Sequence, residues 1–313
     1  MKRFIVSSFL FASVVVLTLG GICALEIGAE LKAYRQELVA PEGATVAVAG
    51  DSQLAMGIDS VACPEFFNFS THGKSLDQSW LSLLDIVEAN PGRIRTAIFD
   101  VTPANAVGFD ARLPAMGYAA QYYLLHYLHP QENIRDLSGA IKVMRDNMVG
   151  RRLRLLFRAL RGKRTFRSSL FGSFTPDTPV LSRTNPAGYR AMLVSKVREV
   201  GENLPIPPDS GLFRILDGVV ALREKGVDVV LITSPWCPEL CAACDRARLD
   251  GFFALLRDYA GRKGVRYINL FDTPLGPECW RDGHHLNAKG AREFTRLLRQ
   301  VMGKGQYGII QGR

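Results

Sequence analysis

A chain of 313 residues, 47% hydrophobic and 22% charged, makes one large domain or two small ones and has ample material for a core. The net charge of +9 would suit a nucleic-acid partner, yet neither a zinc-finger spacing nor an aromatic RNP-like strand accompanies it, so the common nucleic-acid-binding modules are excluded. Much of the excess gathers at Arg151, Arg152, Arg154, Arg158, Arg161, Lys163, Arg164 and Arg167, interleaved with Leu153, Leu155, Leu156, Phe157 and Leu160, which suits a surface facing anionic lipid or polymer.

At the N-terminus, Lys2 and Arg3 precede an uncharged apolar run from Phe4 to about Ala24, just long enough to span a hydrocarbon core. The basic flank should stay cytoplasmic and place the rest of the chain outside. The run is long for a cleaved signal peptide, so a retained signal anchor over 1–24 is expected rather than cleavage near Ile22-Cys23-Ala24. Residues 25–43 then read as a stalk, helical to Leu38 and ended by Pro41-Glu42-Gly43.

From residue 44 the pattern becomes that of an α/β domain reaching to 303. Short apolar, partly β-branched runs predict parallel strands at 44–49, 66–69, 94–101, 227–233 and 265–271. Helical spacing predicts helices at 75–88, 212–225, 246–263 and 288–302. Strands alternating with helices make a parallel sheet covered on its faces. Residues 108–208, with an aromatic cluster (Tyr118, Tyr122, Tyr123, Tyr127), the basic stretch and several prolines, read as a helical insertion. The tail at 304–313 carries no pattern.

Sites in open α/β sheets form beyond the carboxyl ends of the strands. Ser52, in Gly50-Asp51-Ser52-Gln53-Leu54, follows the first strand where the chain turns into a helix, so its hydroxyl can project and its N–H can face developing negative charge. A helix N-cap is the plainer reading of Asp51-Ser52. Asp282 and His285, in Asp282-Gly283-His284-His285-Leu286, lie in the loop before the last helix. There the carboxylate can fix the tautomer of the imidazole and stabilise its charged form. His284 is the competing histidine. His72 is read as a loop histidine beside Gly73. Trp236 and Trp280 are read as core or rim packing before sugar stacking.

Gly50-Asp51-Ser52 after the first strand, Gly73 after the second, and Asp282-x-x-His285-Leu286 before the last helix resemble the SGNH (GDSL-like) hydrolase superfamily, over about 45–105 and 212–302. The resemblance implies a flavodoxin-like three-layer α/β/α sandwich with a five-stranded parallel sheet. It makes Ser52 the nucleophile, His285 the general base and Asp282 its orienting partner. Asp51 shapes the turn, and the N–H groups of Ser52 and Gly73 line an oxyanion hole. The sequence departs from the family where a Gly-x-Asn-Asp segment is expected: it reads Asp100-Val101-Thr102-Pro103-Ala104-Asn105, and Asn105 or Thr102 must substitute or the donor is lost. One such donor is worth roughly 100- to 1000-fold in rate.

The departure and the anchor together resemble the cell-envelope acylation subgroup, similar to D-alanine-transfer and alginate O-acetylation proteins. That resemblance implies a single-pass protein of a bacterial cytoplasmic membrane, its catalytic part facing the periplasm or the extracellular side. Its substrate would be an acylated glycan or acyl donor, its partner a membrane-bound O-acyltransferase. The implied activity is that of a serine esterase or O-acyltransferase, with no metal or cofactor and no nucleic acid. The other reading is a non-catalytic assembly or glycan-binding protein on the same scaffold. Outside the cytoplasm, Cys63, Cys237, Cys241, Cys244 and Cys279 are expected to form one or two disulfides with at least one thiol left over. The Cys237-x3-Cys241-x2-Cys244 spacing keeps zinc as the alternative.

Overall fold

The computed structural model describes residues 34–107, 184–207 and 210–303, with isolated positions before residue 34. The segment 1–24 (apart from some of those positions), most of the expected insertion including its basic stretch, and the tail at 304–313 lie outside the described residues. Among the described residues no helix is long and apolar enough to cross a membrane.

Five parallel strands form the sheet: β1 (Val46–Ala49), β2 (Phe66–Asn68), β3 (Thr96–Asp100), β4 (Asp228–Thr233) and β5 (Arg266–Asn269), in the order β2-β1-β3-β4-β5. This is the flavodoxin-like doubly wound order, whose switch point lies between β1 and β3. Val46 to Ala49 pair with Thr96 to Phe99, and Thr96 to Asp100 with Asp228 to Ile232. Every residue of β1 is buried, as is every residue of β4 after Asp228. That burial explains why these strands read as continuous apolar runs: helices cover both faces.

The helices are α1 (Ser52–Gly57), α2 (Leu76–Ala89), α3 (Pro103–Val107), α4 (Pro186–Asn203), α5 (Gly211–Val220), α6 (Pro238–Ala243), α7 (Arg246–Lys263) and α8 (Ala288–Gly303). Ser75 and Gln78 form a reciprocal capping box that starts α2. Asp245 caps α7, and Gly264, in the left-handed region at φ 64°, ends it. The predicted helix over 212–225 is α5 followed by a 3₁₀ stretch, Ala221–Lys225. The expected stalk is not free at its end. Tyr34 and Leu38 are buried, and Asn90 donates to Leu38 O (2.7 Å) while accepting from Ala40 N (2.8 Å). Residues 34–40 are therefore part of the domain.

One close approach fixes the loop that carries Asp282 and His285. Asn287 accepts from Gly290 N (3.1 Å) at the start of α8, which packs against the 3₁₀ turn Pro277–Cys279. A Cβ at Gly290 would lie 2.1 Å from the carbonyl oxygen of Cys279. Because the obstacle is backbone, Gly290→Ala is expected to lower stability by roughly 1–3 kcal/mol. A denaturant midpoint within error of wild type would contradict this packing.

Candidate active site

Ser52 stands three residues beyond β1 as the first residue of α1. Asp51 caps that helix, its Oδ1 accepting from Gln53 N (2.8 Å). As the first helical residue, Ser52 has an N–H with no carbonyl one turn back to bond. The plain N-cap role thus falls to Asp51, which leaves the Ser52 hydroxyl for another partner. That partner is His285: its Nε2 lies 2.7 Å from Ser52 Oγ. On the far side of the ring, Nδ1 lies 2.8 Å from Asp282 Oδ2 and 3.1 Å from Oδ1. The consistent tautomer donates Nδ1–H to the carboxylate and accepts the serine proton at Nε2.

The loop that delivers this pair is a tight hairpin. Trp280 and Leu286 bridge antiparallel, and Arg281 N donates to His285 O (2.9 Å). Within it Asp282 Oδ1 also accepts from His284 N (3.1 Å) and His285 N (2.9 Å). Burial alone would raise the Asp282 carboxyl. The hydrogen bond and charge of His285, with help from His284, win and hold it well below the usual carboxylate range. His284 packs tilted against His285 with ring centroids 3.9 Å apart, and burial pushes its pKa down to about 3. The chain therefore keeps one carboxylate ionised beside a neutral second imidazole.

Gly73 lies at the tip of the turn after β2. Lys74 N donates to Thr71 O (3.4 Å), and Gly73 sits at φ 69°, the left-handed third position that a type II turn requires. His72, just before it, sets its ring 6.5 Å from that of His285. Burial, then the neighbouring His285 and Arg281, lower its pKa. Asn105 is placed differently from a free oxyanion donor. Its Oδ1 accepts from Thr102 N (2.8 Å), and its Nδ2 donates to Asp100 O (3.2 Å). The amide is committed to the turn after β3.

Three residues not singled out in the sequence complete the support. Ser234 Oγ, just past β4, lies 2.8 Å from both Gln53 Oε1 and Asp100 Oδ2, and Ser234 N donates to Asp100 Oδ1 (3.0 Å). All three side chains are buried. Burial, then the nearby Asp51, raises the Asp100 carboxyl well above its ordinary value. This network ties the residue after Ser52 to the ends of β3 and β4. Its sequence signal was slight: a lone acid closing an apolar strand, and a serine after another.

From the far side, α4 covers the histidine loop. Met192 and Leu193 lie against Gly283, and Lys196 is near enough to influence both Asp51 and His284.

Chains of known structure overlap this one only loosely. A provisionally assigned acylhydrolase of Bacteroides fragilis has a TM-score of 0.42 and 9% identity, covering 87% of this chain and 94% of its own. A GDSL-like lipase of Bacteroides thetaiotaomicron has a TM-score of 0.40 and 10% identity, with 88% and 98% covered. An extracellular lipase of Streptomyces rimosus has a TM-score of 0.32 and 13% identity, with 82% and 99% covered. No family model matches the sequence, and no curated protein does. At these scores the overlaps carry no functional inference, and the chemistry rests on the distances above.

The cysteines depart from expectation. Cys63, Cys237, Cys241, Cys244 and Cys279 are all free thiols. Several have their own partners: Cys279 Sγ donates to Glu293 (3.3 Å), Cys241 Sγ to Trp236 O (3.5 Å), and Cys237 Sγ accepts from Leu240 N (3.4 Å). Burial pushes the thiols of Cys237, Cys244 and Cys279 up to about 11, which makes them poor nucleophiles. Among the described residues the cysteines do not gather into a metal-binding group either; the group that does is Asp282, His284 and His285. Trp236 and Trp280 are buried, so they pack the core.

Lys74, next to Gly73, is buried and donates to Phe69 O (3.0 Å). Burial drives its pKa down to about 7 from 10.5, only partly opposed by Asp85. Between those values the unfolded chain holds more protons at this site than the folded one, so its penalty on stability is full below pH 7 and fades as pH rises. Lys74→Met removes the penalty but leaves the Phe69 carbonyl without this donor, at a cost independent of pH. The stability of Lys74→Met relative to wild type should therefore fall by on the order of 1–3 kcal/mol between about pH 6 and about pH 10. Parallel denaturant melts check this, and a pH-independent difference would refute the buried cation.

Proposed function

We propose that this protein is a serine acyl-transfer enzyme, an esterase or O-acyltransferase that works through an acyl-serine intermediate. The observation that carries the reading is the line Ser52 Oγ to His285 Nε2 (2.7 Å) and His285 Nδ1 to Asp282 Oδ2 (2.8 Å). In the first half-reaction Ser52 Oγ attacks the carbonyl carbon of an ester or thioester while its proton passes to His285 Nε2. The imidazolium is stabilised by Asp282, which stays ionised. The tetrahedral oxyanion is held by the N–H groups of Ser52 and Gly73, at the amino end of α1 and in the turn beyond β2. Its collapse breaks the bond to the leaving group, which takes the proton from His285. In the second half-reaction His285 removes a proton from water or a sugar hydroxyl, that oxygen attacks the acyl carbon, and Ser52 is regenerated. Water gives hydrolysis; an alcohol gives transfer.

The finer reading extends the resemblance: a membrane-tethered enzyme acting outside the cytoplasm on cell-envelope glycan, beside a membrane-bound O-acyltransferase. It is supported by the apolar segment with its basic flank and by the basic stretch at 151–167. One observation favours a glycan-binding protein on the same scaffold instead: the Asn105 amide is already engaged by Asp100 and Thr102. A fluorophosphonate probe on the full-length folded protein separates the two. Stoichiometric labelling supports catalysis, and none supports binding alone.

A further inference from the structure

Two imidazoles converge on one carboxylate in the 282–285 loop, and one of them has no role in the relay. His284 Nδ1 is shielded from solvent, has no hydrogen-bond partner and lies 3.4 Å from Asp282 Oδ1 without hydrogen-bond geometry. His285 Nδ1 approaches the same carboxylate at 2.8 and 3.1 Å. Ligand atoms of the three side chains all lie within 4.8 Å of one another. A tetrahedral ion with bonds near 2.1 Å holds neighbouring ligands about 3.4 Å apart, so these separations need little adjustment.

We propose that Asp282, His284 and His285 form a binding site for a transition-metal dication of the Zn²⁺ type, and that its occupancy switches Ser52 off. Two imidazoles and a carboxylate suit such an ion better than Mg²⁺ or Ca²⁺, which take oxygen ligands. A water fills the fourth position. Ligation uses the lone pair of His285 Nδ1, whose proton must leave that nitrogen and shift to Nε2. The imidazole then presents N–H to Ser52 Oγ and can no longer accept its proton. The nearby Lys196 opposes a cation and moderates affinity. The switching rests on the serine reading above; the binding site does not.

The test uses Zn²⁺ alone, on the full-length wild type and on His284→Phe, which keeps a ring beside His285 and removes the ligating nitrogen. Calorimetry should give one site per wild-type chain, weakened in His284→Phe by at least the roughly 10- to 100-fold that loss of even an outer partner of a metal costs. Fluorophosphonate labelling of the wild type should slow with Zn²⁺ and recover with EDTA, whereas His284→Phe should label and resist the same Zn²⁺. Equal affinity in the two proteins would place the ion elsewhere, for instance on a free thiol, and overturn the site. Specific binding without effect on labelling would overturn the switch. A wild type that never labels would instead fail the serine reading, and the calorimetric comparison would still decide the site.

Discussion

Replacing Ser52 by Ala is expected to abolish fluorophosphonate labelling and to lower kcat/KM for an activated ester by on the order of 10⁴-fold or more. The size follows from the geometry. In the proposed mechanism Ser52 Oγ is the nucleophile atom and His285 Nε2, 2.7 Å away, is the base that activates it; without Oγ the relay has nothing to act on. What survives should be the weak background due to the N–H groups that face the oxyanion, a water replacing the serine. Stability should hardly change, because the helix cap belongs to Asp51 and the Gln53 N–H keeps its acceptor. Unfolding midpoints of the two proteins serve as the control. A Ser52→Ala protein that keeps more than about a tenth of the wild-type rate would end the serine mechanism.

Asp282→Asn should be nearly as damaging, about 10⁴-fold in kcat, for a different reason. The amide oxygen of Asn can still accept from His284 N and His285 N, so the hairpin has what it needs to keep its shape. The amide nitrogen, however, would face His285 Nδ1 as a donor. The imidazole must then carry its proton on Nε2, pointing at Ser52, and its capacity as a base is lost. The developing imidazolium also loses the carboxylate that His285 itself holds well below the usual range. Steady-state kinetics on the same activated ester, with a thermal melt as the folding control, tests this. If the variant melts normally and loses less than tenfold, Asp282 only shapes the loop.

Much of this was legible in the chain because its signals are local. The runs at 44–49, 94–101 and 227–233 read as buried parallel strands because they lack polar alternation, and β1, β3 and β4 are indeed covered on both faces. The helix predicted over 75–88 and α2 agree to within a residue, with Leu76, Trp80, Leu83 and Val87 buried on the expected face. Less legible were elements whose cause lies elsewhere. The short α6 starts at Cys237-Pro238, and its cap bond runs to a thiol, a poor sequence signal. The expected disulfides are not formed, because compartment and count say nothing of which thiols pair; Cys237, Cys241 and Cys279 hydrogen-bond other groups instead.

The sequence alone determined the alternation of strands and helices, the turn after β1 that exposes a serine, and the Asp-x-x-His spacing that lets a carboxylate reach an imidazole across one hairpin. These are contacts within a few residues, set by local backbone geometry. Tertiary structure alone decided that Ser52 and His285 meet, that Asp100, Ser234 and Gln53 join beneath Ser52, and that His284 is left with an unpaired nitrogen. Those outcomes depend on the order of strands in the sheet. It brings the ends of β1, β3 and β4 together and carries the 280–286 hairpin over them, between residues whose separation in the chain gives no hint of contact.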